Sequence, residues 1–224
     1  MATPVRAVLF DLDGTLVDSA PDIAAAANRM LAQLEAPALA FDTIKAFIGN
    51  GVPTLVRRLL ATSAIDQRDY PRALALFERH YDATNGVDSR VFPGVVEGLR
   101  ALLDGGVTLA CVTNKPHAAA AALLAKTGLG CYFCAVVGGD SAGVMKPHPA
   151  PLLLACRLTG VHCAESVLVG DSAVDVAAAL AAPMQVYIVR YGYWGEGDPA
   201  RLHDATLIDT LAQLPALLRA GTPV

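Results

Sequence analysis

Two carboxylates close an apolar run near the start of the chain, in Phe10-Asp11-Leu12-Asp13-Gly14-Thr15. The preceding Val8-Leu9-Phe10 has the composition of a buried strand, from which unpaired charge is excluded. Aspartates in that place need a partner, and a hard cation such as Mg²⁺ is the one carboxylate oxygens favour. Spaced two apart, they can divide labour: one binds metal and attacks, the other moves a proton. The competing reading is a helix cap at Asp11 with a turn at Gly14, and the rest of the chain speaks against it.

Polar clusters recur after later apolar runs. Thr113-Asn114-Lys115 follows residues 107–112, Lys146-Pro147-His148-Pro149 comes after Val136-Val137, and Gly170-Asp171-Ser172-Ala173-Val174-Asp175 follows 166–169. Ligands of open α/β sheets bind beyond the carboxyl ends of the strands, so these groups converge on one edge. The chemistry open to them is phosphoryl transfer, whose transition state spreads negative charge over oxygens that favour Mg²⁺, ammonium groups and hydrogen-bond donors. In this reading Asp11 is the nucleophile and Mg²⁺ bridges it to the phosphate, with Asp171 completing the metal shell. Lys146 and Thr113, with Asn114 beside it, clamp the remaining oxygens. Asp13 protonates the leaving alcohol and later deprotonates water.

The positioning elements follow from periodicity. Strands are expected at 107–112, 136–137, 166–169 and 185–189, alternating with helices at 116–126, 149–158 and 173–182. Near-continuous apolar strands in βαβα alternation predict an α/β fold, a Rossmann-like doubly wound parallel sheet with helices on both faces. Residues 18–90 break the rhythm with helical patterns only, at 23–34, 42–47, 54–60 and 71–81, and no strand. The expected organisation is an α/β core from residues 1–17 plus 91–224, with 18–90 inserted as an all-helical cap domain.

At 224 residues, 54% hydrophobic and 17% charged, the chain can bury a substantial core. A net charge of −4 without a basic cluster argues against nucleic acid or an anionic membrane as partner. No apolar stretch reaches membrane-span length, and the N-terminal run stops at Asp11, so a cytoplasmic location is expected. Five cysteines, an odd number, fit a reducing compartment, and Cys131-x-x-Cys134 has no second pair to make a zinc site. A monomer and a homodimer are both compatible with the sequence.

With these residues in view, the chain resembles haloacid dehalogenase (HAD) superfamily phosphatases with a helical cap of the first type. The resemblance spans essentially the whole chain and rests on Asp11 and Asp13, Thr113, Lys146, and Asp171 with Asp175. It implies a covalent aspartyl-phosphate at Asp11 and Mg²⁺ held by Asp11, the Asp13 carbonyl oxygen and Asp171. It also implies that Asp175 supports the metal's water shell or the lysine, and that the cap closes over the site to set specificity. Ile48-Gly49-Asn50-Gly51, Val112-Thr113-Asn114-Lys115-Pro116, Lys146-Pro147-His148-Pro149 and Arg190-Tyr191-Gly192-Tyr193 resemble bacterial phosphoglycolate phosphatases in particular. The implied substrate is a small phosphorylated metabolite, 2-phosphoglycolate first. N-acetylmuramate 6-phosphate, pyrophosphate and a nucleoside monophosphate are the alternatives. A sugar-phosphate mutase ranks lower, because the cap loop offers no arginine for a second phosphate. The sequence departs from the family pattern at Val174, where asparagine is frequent, and at Pro183, where glycine is common.

The Gly49-Asn50-Gly51 run is open to two readings, a helix stop with its turn or a cap loop whose amides reach the site. Lys45 and Arg57 read as solvated charges, with a substrate carboxylate as the competing partner. His148 reads as a loop-shaping residue rather than a base.

Overall fold

The computed structural model describes residues 4–194 and 205–220. The first half holds β1 (Ala7–Phe10), β2 (Val17–Asp18), α1 (Ala20–Gln33), α2 (Phe41–Ala46), α3 (Gly51–Thr62), α4 (Tyr70–Thr84), β3 (Arg90–Val91) and α5 (Val95–Asp104). The second half holds β4 (Thr108–Val112), α6 (His117–Lys126), β5 (Ala135–Val137), α7 (Ala150–Thr159), β6 (Ser166–Gly170), α8 (Ala173–Ala181), β7 (Gln185–Val189), β8 (Thr206–Ile208) and α9 (Leu214–Ala220).

Six strands form one sheet in the order β5-β4-β1-β6-β7-β8, and every pairing is parallel. Side chains alternate faces along a strand, so a strand covered on both sides must be apolar throughout. In β1, Val8 and Phe10 join a core with α5, α6 and α9, while Leu9 joins the opposite core with α7 and α8. That two-sided burial is why the run before Asp11 carries no polar residue. Helices α1 to α4 form a further core around Met30, Leu59 and Phe77, which Tyr193 joins from the segment after β7.

The expected α/β fold with helices on both faces is present. Three features differ from the sequence expectation. The stretch 18–90 is not strand-free, because Val17–Asp18 pairs antiparallel with Arg90–Val91, where the chain leaves and re-enters the sheet region. Two-residue strands carry too little pattern to be read from one sequence. Helix α5 and strand β8 also lie outside the expected elements. Helix α5 contains Gly98, a poor helix former, retained because a Cβ there would lie 2.8 Å from the Leu211 backbone.

One buried carboxylate organises the return from the helical stretch. Asp22, in the first turn of α1, accepts backbone N–H bonds from Gly86, Val87, Asp88 and Ser89 at 2.8–3.2 Å. All five cysteines are free. No helix among the described residues is long and apolar enough to cross a membrane.

Pro183 follows the C-terminus of α8 at φ = +24°, a left-handed position. The Met184 N–H bonds the Ala179 carbonyl at 2.9 Å, closing the wide turn that usually places glycine where Pro183 stands. A proline ring prefers φ near −65° and has no N–H to give the preceding turn. Pro183→Gly is therefore expected to stabilise the protein by about 1 kcal/mol, the relieved strain outweighing the unfolded chain's gain in freedom. A melting temperature raised by roughly 2–4 °C would show it, and a lowered one would contradict it.

Candidate active site

The strand order β4-β1-β6 puts the residues following three adjacent strands side by side: Thr113, Asp11 and Asp171. Backbone bonds fix the first two beyond the ladder, Asp11 N–H to the Val169 carbonyl and Thr113 N–H to the Val137 carbonyl, each at 2.9 Å. Lys146 arrives from the loop after β5, and Asp175 from the first turn of α8.

Lys146 is buried, and its Nζ donates to Asp11 Oδ1 at 2.9 Å and to Asp175 Oδ1 at 2.7 Å. Asp11 Oδ2 accepts no hydrogen bond from the described residues. Asp175 Oδ2 caps α8, accepting from Ser172 Oγ at 2.7 Å and from the Ser172 and Asp171 N–H groups. Two glycines make room for Asp171. A Cβ on Gly14, where φ is +86°, would lie 2.2 Å from Asp171 Oδ2, and one on Gly192 would lie 2.2 Å from Asp171 Cβ. The backbone N–H of Tyr193 donates to Asp171 Oδ2 at 2.7 Å.

Asp13 points elsewhere. Its carboxylate accepts from Lys115 Nζ at 2.7 and 3.0 Å and from the Ser19 hydroxyl. Tyr193 ties this side to the Asp171 loop, its hydroxyl accepting from the Ser19 and Ala20 N–H groups and donating to Asp18.

Burial pushes the Asp11 carboxyl up to about 6, with Asp175 and Asp13 adding repulsion and Lys146 holding it back. Burial raises Asp171 as well, reinforced by Asp11 and Asp175 and opposed by the Tyr193 N–H. Burial alone would lower Lys146, but the two carboxylates it bridges outweigh that and raise it. Asp11, Asp171 and Asp175 each bring a carboxylate oxygen within 4.8 Å of the others. Three buried carboxylates thus face one ammonium, an excess of negative charge that a divalent cation would neutralise. An all-oxygen donor set beside glycines that leave it space fits a hard cation.

Asn114 behaves differently from expectation. Its Nδ2 donates to the carbonyls of Gly49 and Lys146, and its Oδ1 accepts the Lys146 N–H, all at 2.9 Å. The side chain is a strut between the lysine loop and the helical stretch, so it is not available to clamp phosphate in this arrangement. Thr113 lines the same cavity as Asp11 and Asp13, and its hydroxyl accepts the Lys115 N–H at 3.2 Å.

The Gly49-Asn50-Gly51 run does reach the core loops. Gly49 accepts the Asn114 bond, and a Cβ at Gly51, where φ is +79°, would lie 2.7 Å from Met145 Sδ. Gly51 also begins α3, three residues before the expected start at 54. Lys45 and Arg57 lie against the rings of Tyr193 and Tyr70, at 5.1 and 4.0 Å from the ring centroids, and neither lines the cavity. His148 is exposed and accepts the Ala150 N–H on Nδ1 at 3.1 Å, a loop-shaping bond.

Sequence reasoning gave no role to Lys115, Ser19 or Tyr193. A signal existed for Lys115, which stands in a polar cluster at a strand end. Ser19 and Tyr193 act through folding of distant segments, and although Tyr193 stands in the Arg190-Tyr191-Gly192-Tyr193 motif, nothing local gives either residue its role.

Residues 5–183 match the family model for "haloacid dehalogenase-like hydrolase". The "Phosphoglycolate phosphatase, plasmid" of Cupriavidus necator is 58% identical over 219 residues, covering 97% of this chain and 95% of that protein. A phosphoglycolate phosphatase of Nitrosospira multiformis is 46% identical over 97% of this chain and 94% of its own length. A crystal structure of a "predicted phosphoglycolate phosphatase" from Haemophilus somnus superposes with a TM-score of 0.90 at 31% identity, covering 95% of this chain and 97% of that one.

Proposed function

The chain belongs to the haloacid dehalogenase-like hydrolase family, and from that footing we propose that it hydrolyses 2-phosphoglycolate to glycolate and phosphate through an aspartyl-phosphate on Asp11. The observation that carries this reading is Asp11 itself: buried, with one oxygen on Lys146 and the other without a bond from the described residues, beside a second carboxylate held by Lys115. The names of the relatives from Cupriavidus necator and Nitrosospira multiformis support the substrate.

In this mechanism Asp11 Oδ2 attacks phosphorus as the bond to the ester oxygen breaks. Asp13 gives its proton to that oxygen, and glycolate leaves. Water then attacks the phosphorylated Asp11, Asp13 takes the proton, and the carboxylate returns with phosphate released. Lys146 offsets negative charge on Asp11, and Thr113 offers a hydroxyl at the cavity wall. Asp11 and Asp171, with the Asp13 carbonyl, would hold Mg²⁺, and Asp175 would support the site through Lys146. When bound, the cation supplies neutralisation between two anions that otherwise repel. Residues 18–90 act as a cap that covers the reacting groups and gates the passage of water and product.

A metal-binding site built on repelling carboxylates has a thermodynamic signature. The Asp11 carboxyl sits at about 6 in the folded chain, above its ordinary 3.8. For a group raised in this way, the stability it contributes is complete below about 4 and is lost as pH rises through about 6. Without metal, ionising Asp11 therefore opposes folding across that window, and Asp171 acts in the same direction. The rise in melting temperature produced by Mg²⁺ is expected to be larger at pH 7 than at pH 5. Equal shifts at the two pH values would count against these ligands.

The substrate is tested by measuring phosphate release with Mg²⁺ from 2-phosphoglycolate, N-acetylmuramate 6-phosphate, a nucleoside monophosphate, pyrophosphate and β-glucose 1-phosphate. The expected result is a kcat/KM for 2-phosphoglycolate at least about tenfold above the others and in the ordinary enzymatic range of 10⁴ M⁻¹s⁻¹ or more. A higher value for another ester would keep the chemistry and replace the substrate.

A further inference from the structure

The substrate proposed above has two anionic groups, and the residues assigned so far deal with only the phosphate. Lys115 has been assigned only as the partner of Asp13, and its side chain, 2% exposed, lines the cavity beside Asp11 and Asp13. It is the one cation among the described residues that line it. Lys146 is held at the strand ends by Asp11 and Asp175, while Lys45 and Arg57 lie against the rings of Tyr193 and Tyr70 and do not line the cavity. The helical stretch contributes an apolar wall that includes Ile48, Leu55 and Phe77. A carboxylate entering against that wall without a partner would be strongly disfavoured.

Position narrows the assignment further. The Lys115 ammonium is 2.7 and 3.0 Å from the two Asp13 oxygens and 4.7 Å from the centre of the Tyr81 ring. In the proposed reaction Asp13 serves the leaving oxygen, and the carboxyl carbon of 2-phosphoglycolate is two bonds from that atom. An ammonium touching Asp13 is therefore within reach of the substrate's carboxylate. The first turn of α3 opens on the same cavity through Gly51 and Val52, with no side-chain cap from Asn50, so its positive end adds to the field there.

Resting on the phosphatase reading, we propose that Lys115 receives the substrate's carboxylate and thereby selects an acidic ester over a neutral one of the same size. The test compares kcat/KM for 2-phosphoglycolate and for ethyl phosphate, in which a methyl group replaces the carboxylate, in wild type, Lys115→Met and Lys115→Arg. Loss of Asp13's partner is expected to lower both activities in the methionine variant. The ratio between the two esters is expected to fall about ten- to a hundredfold, the size of a charge-assisted hydrogen bond. The arginine variant should retain most of the preference. Lys115→Gln gives the same comparison if the methionine variant does not fold.

If both activities fall by one factor and the ratio stays at its wild-type value, Lys115 only positions Asp13 and the proposal is overturned. A wild type that does not prefer 2-phosphoglycolate over ethyl phosphate would instead remove the substrate reading, and this inference with it.

Discussion

Replacing Asp11 by asparagine is expected to lower phosphate release from 2-phosphoglycolate by a factor of at least about 10⁴ while leaving the protein folded. The amide is close in shape to the carboxylate but has no anionic oxygen to attack phosphorus. Stability should change little, because two effects oppose each other. Lys146 loses one of its two carboxylate partners but keeps Asp175 at 2.7 Å. Asp171 and Asp175 lose a neighbouring negative charge, and the burial that raises the Asp11 carboxyl to about 6 no longer disfavours an ion at that position. Phosphate release by this variant within tenfold of wild type would rule out Asp11 as nucleophile.

Lys146→Met should damage both activity and folding. The ammonium is buried between Asp11 and Asp175, and methionine fills similar space without charge. Removing one member of a buried ionic set leaves the others uncompensated, which costs about 3–5 kcal/mol. For a chain of this length that corresponds to a fall in melting temperature of roughly 10 °C. Turnover is expected to fall by at least about 10³, because Asp11 loses the group that holds its carboxylate in the ionised form. Mg²⁺ should recover part of the lost stability but not the activity. A variant as stable as wild type without metal would mean that the three carboxylates do not share one charged cluster.

Much of this site was legible before any coordinates, for a physical reason. An apolar strand covered on both faces does not hold an unpaired carboxylate, so Asp11, Thr113 and Asp171 mark the carboxyl ends of β1, β4 and β6, where polar groups can meet partners. Parallel pairing then brings those ends together whatever the loops do. Asp175 was readable from its spacing to Asp171 within one helical turn.

Contacts between segments far apart in sequence were not legible. Lys115 meets Asp13 across 102 positions and Tyr193 meets Ser19 across 174, and both pairings exist only once the sheet and the helical stretch have packed. Asn114 shows a contact of the same long-range kind. Its place beside Thr113 suggested a phosphate clamp, yet an amide can donate and accept at once. Its side chain is taken up holding Gly49 and Lys146 together. The two-residue strands β2 and β3 escaped because their pairing depends on where the helical stretch begins and ends. No local pattern encodes that.

The most direct test of the central claim is to catch the phosphoryl group on Asp11. Asp13→Ala removes the group that activates water, and acetyl phosphate has a leaving group that needs no proton. Mixing this variant with Mg²⁺ and ³²P-labelled acetyl phosphate, quenching in acid and mapping the peptides should show label on the fragment containing Asp11. That label should be released by hydroxylamine and be missing from the Asp11→Asn, Asp13→Ala double variant. Wild-type hydrolysis of acetyl phosphate with no label retained by Asp13→Ala, or label on a fragment without Asp11, would contradict the account.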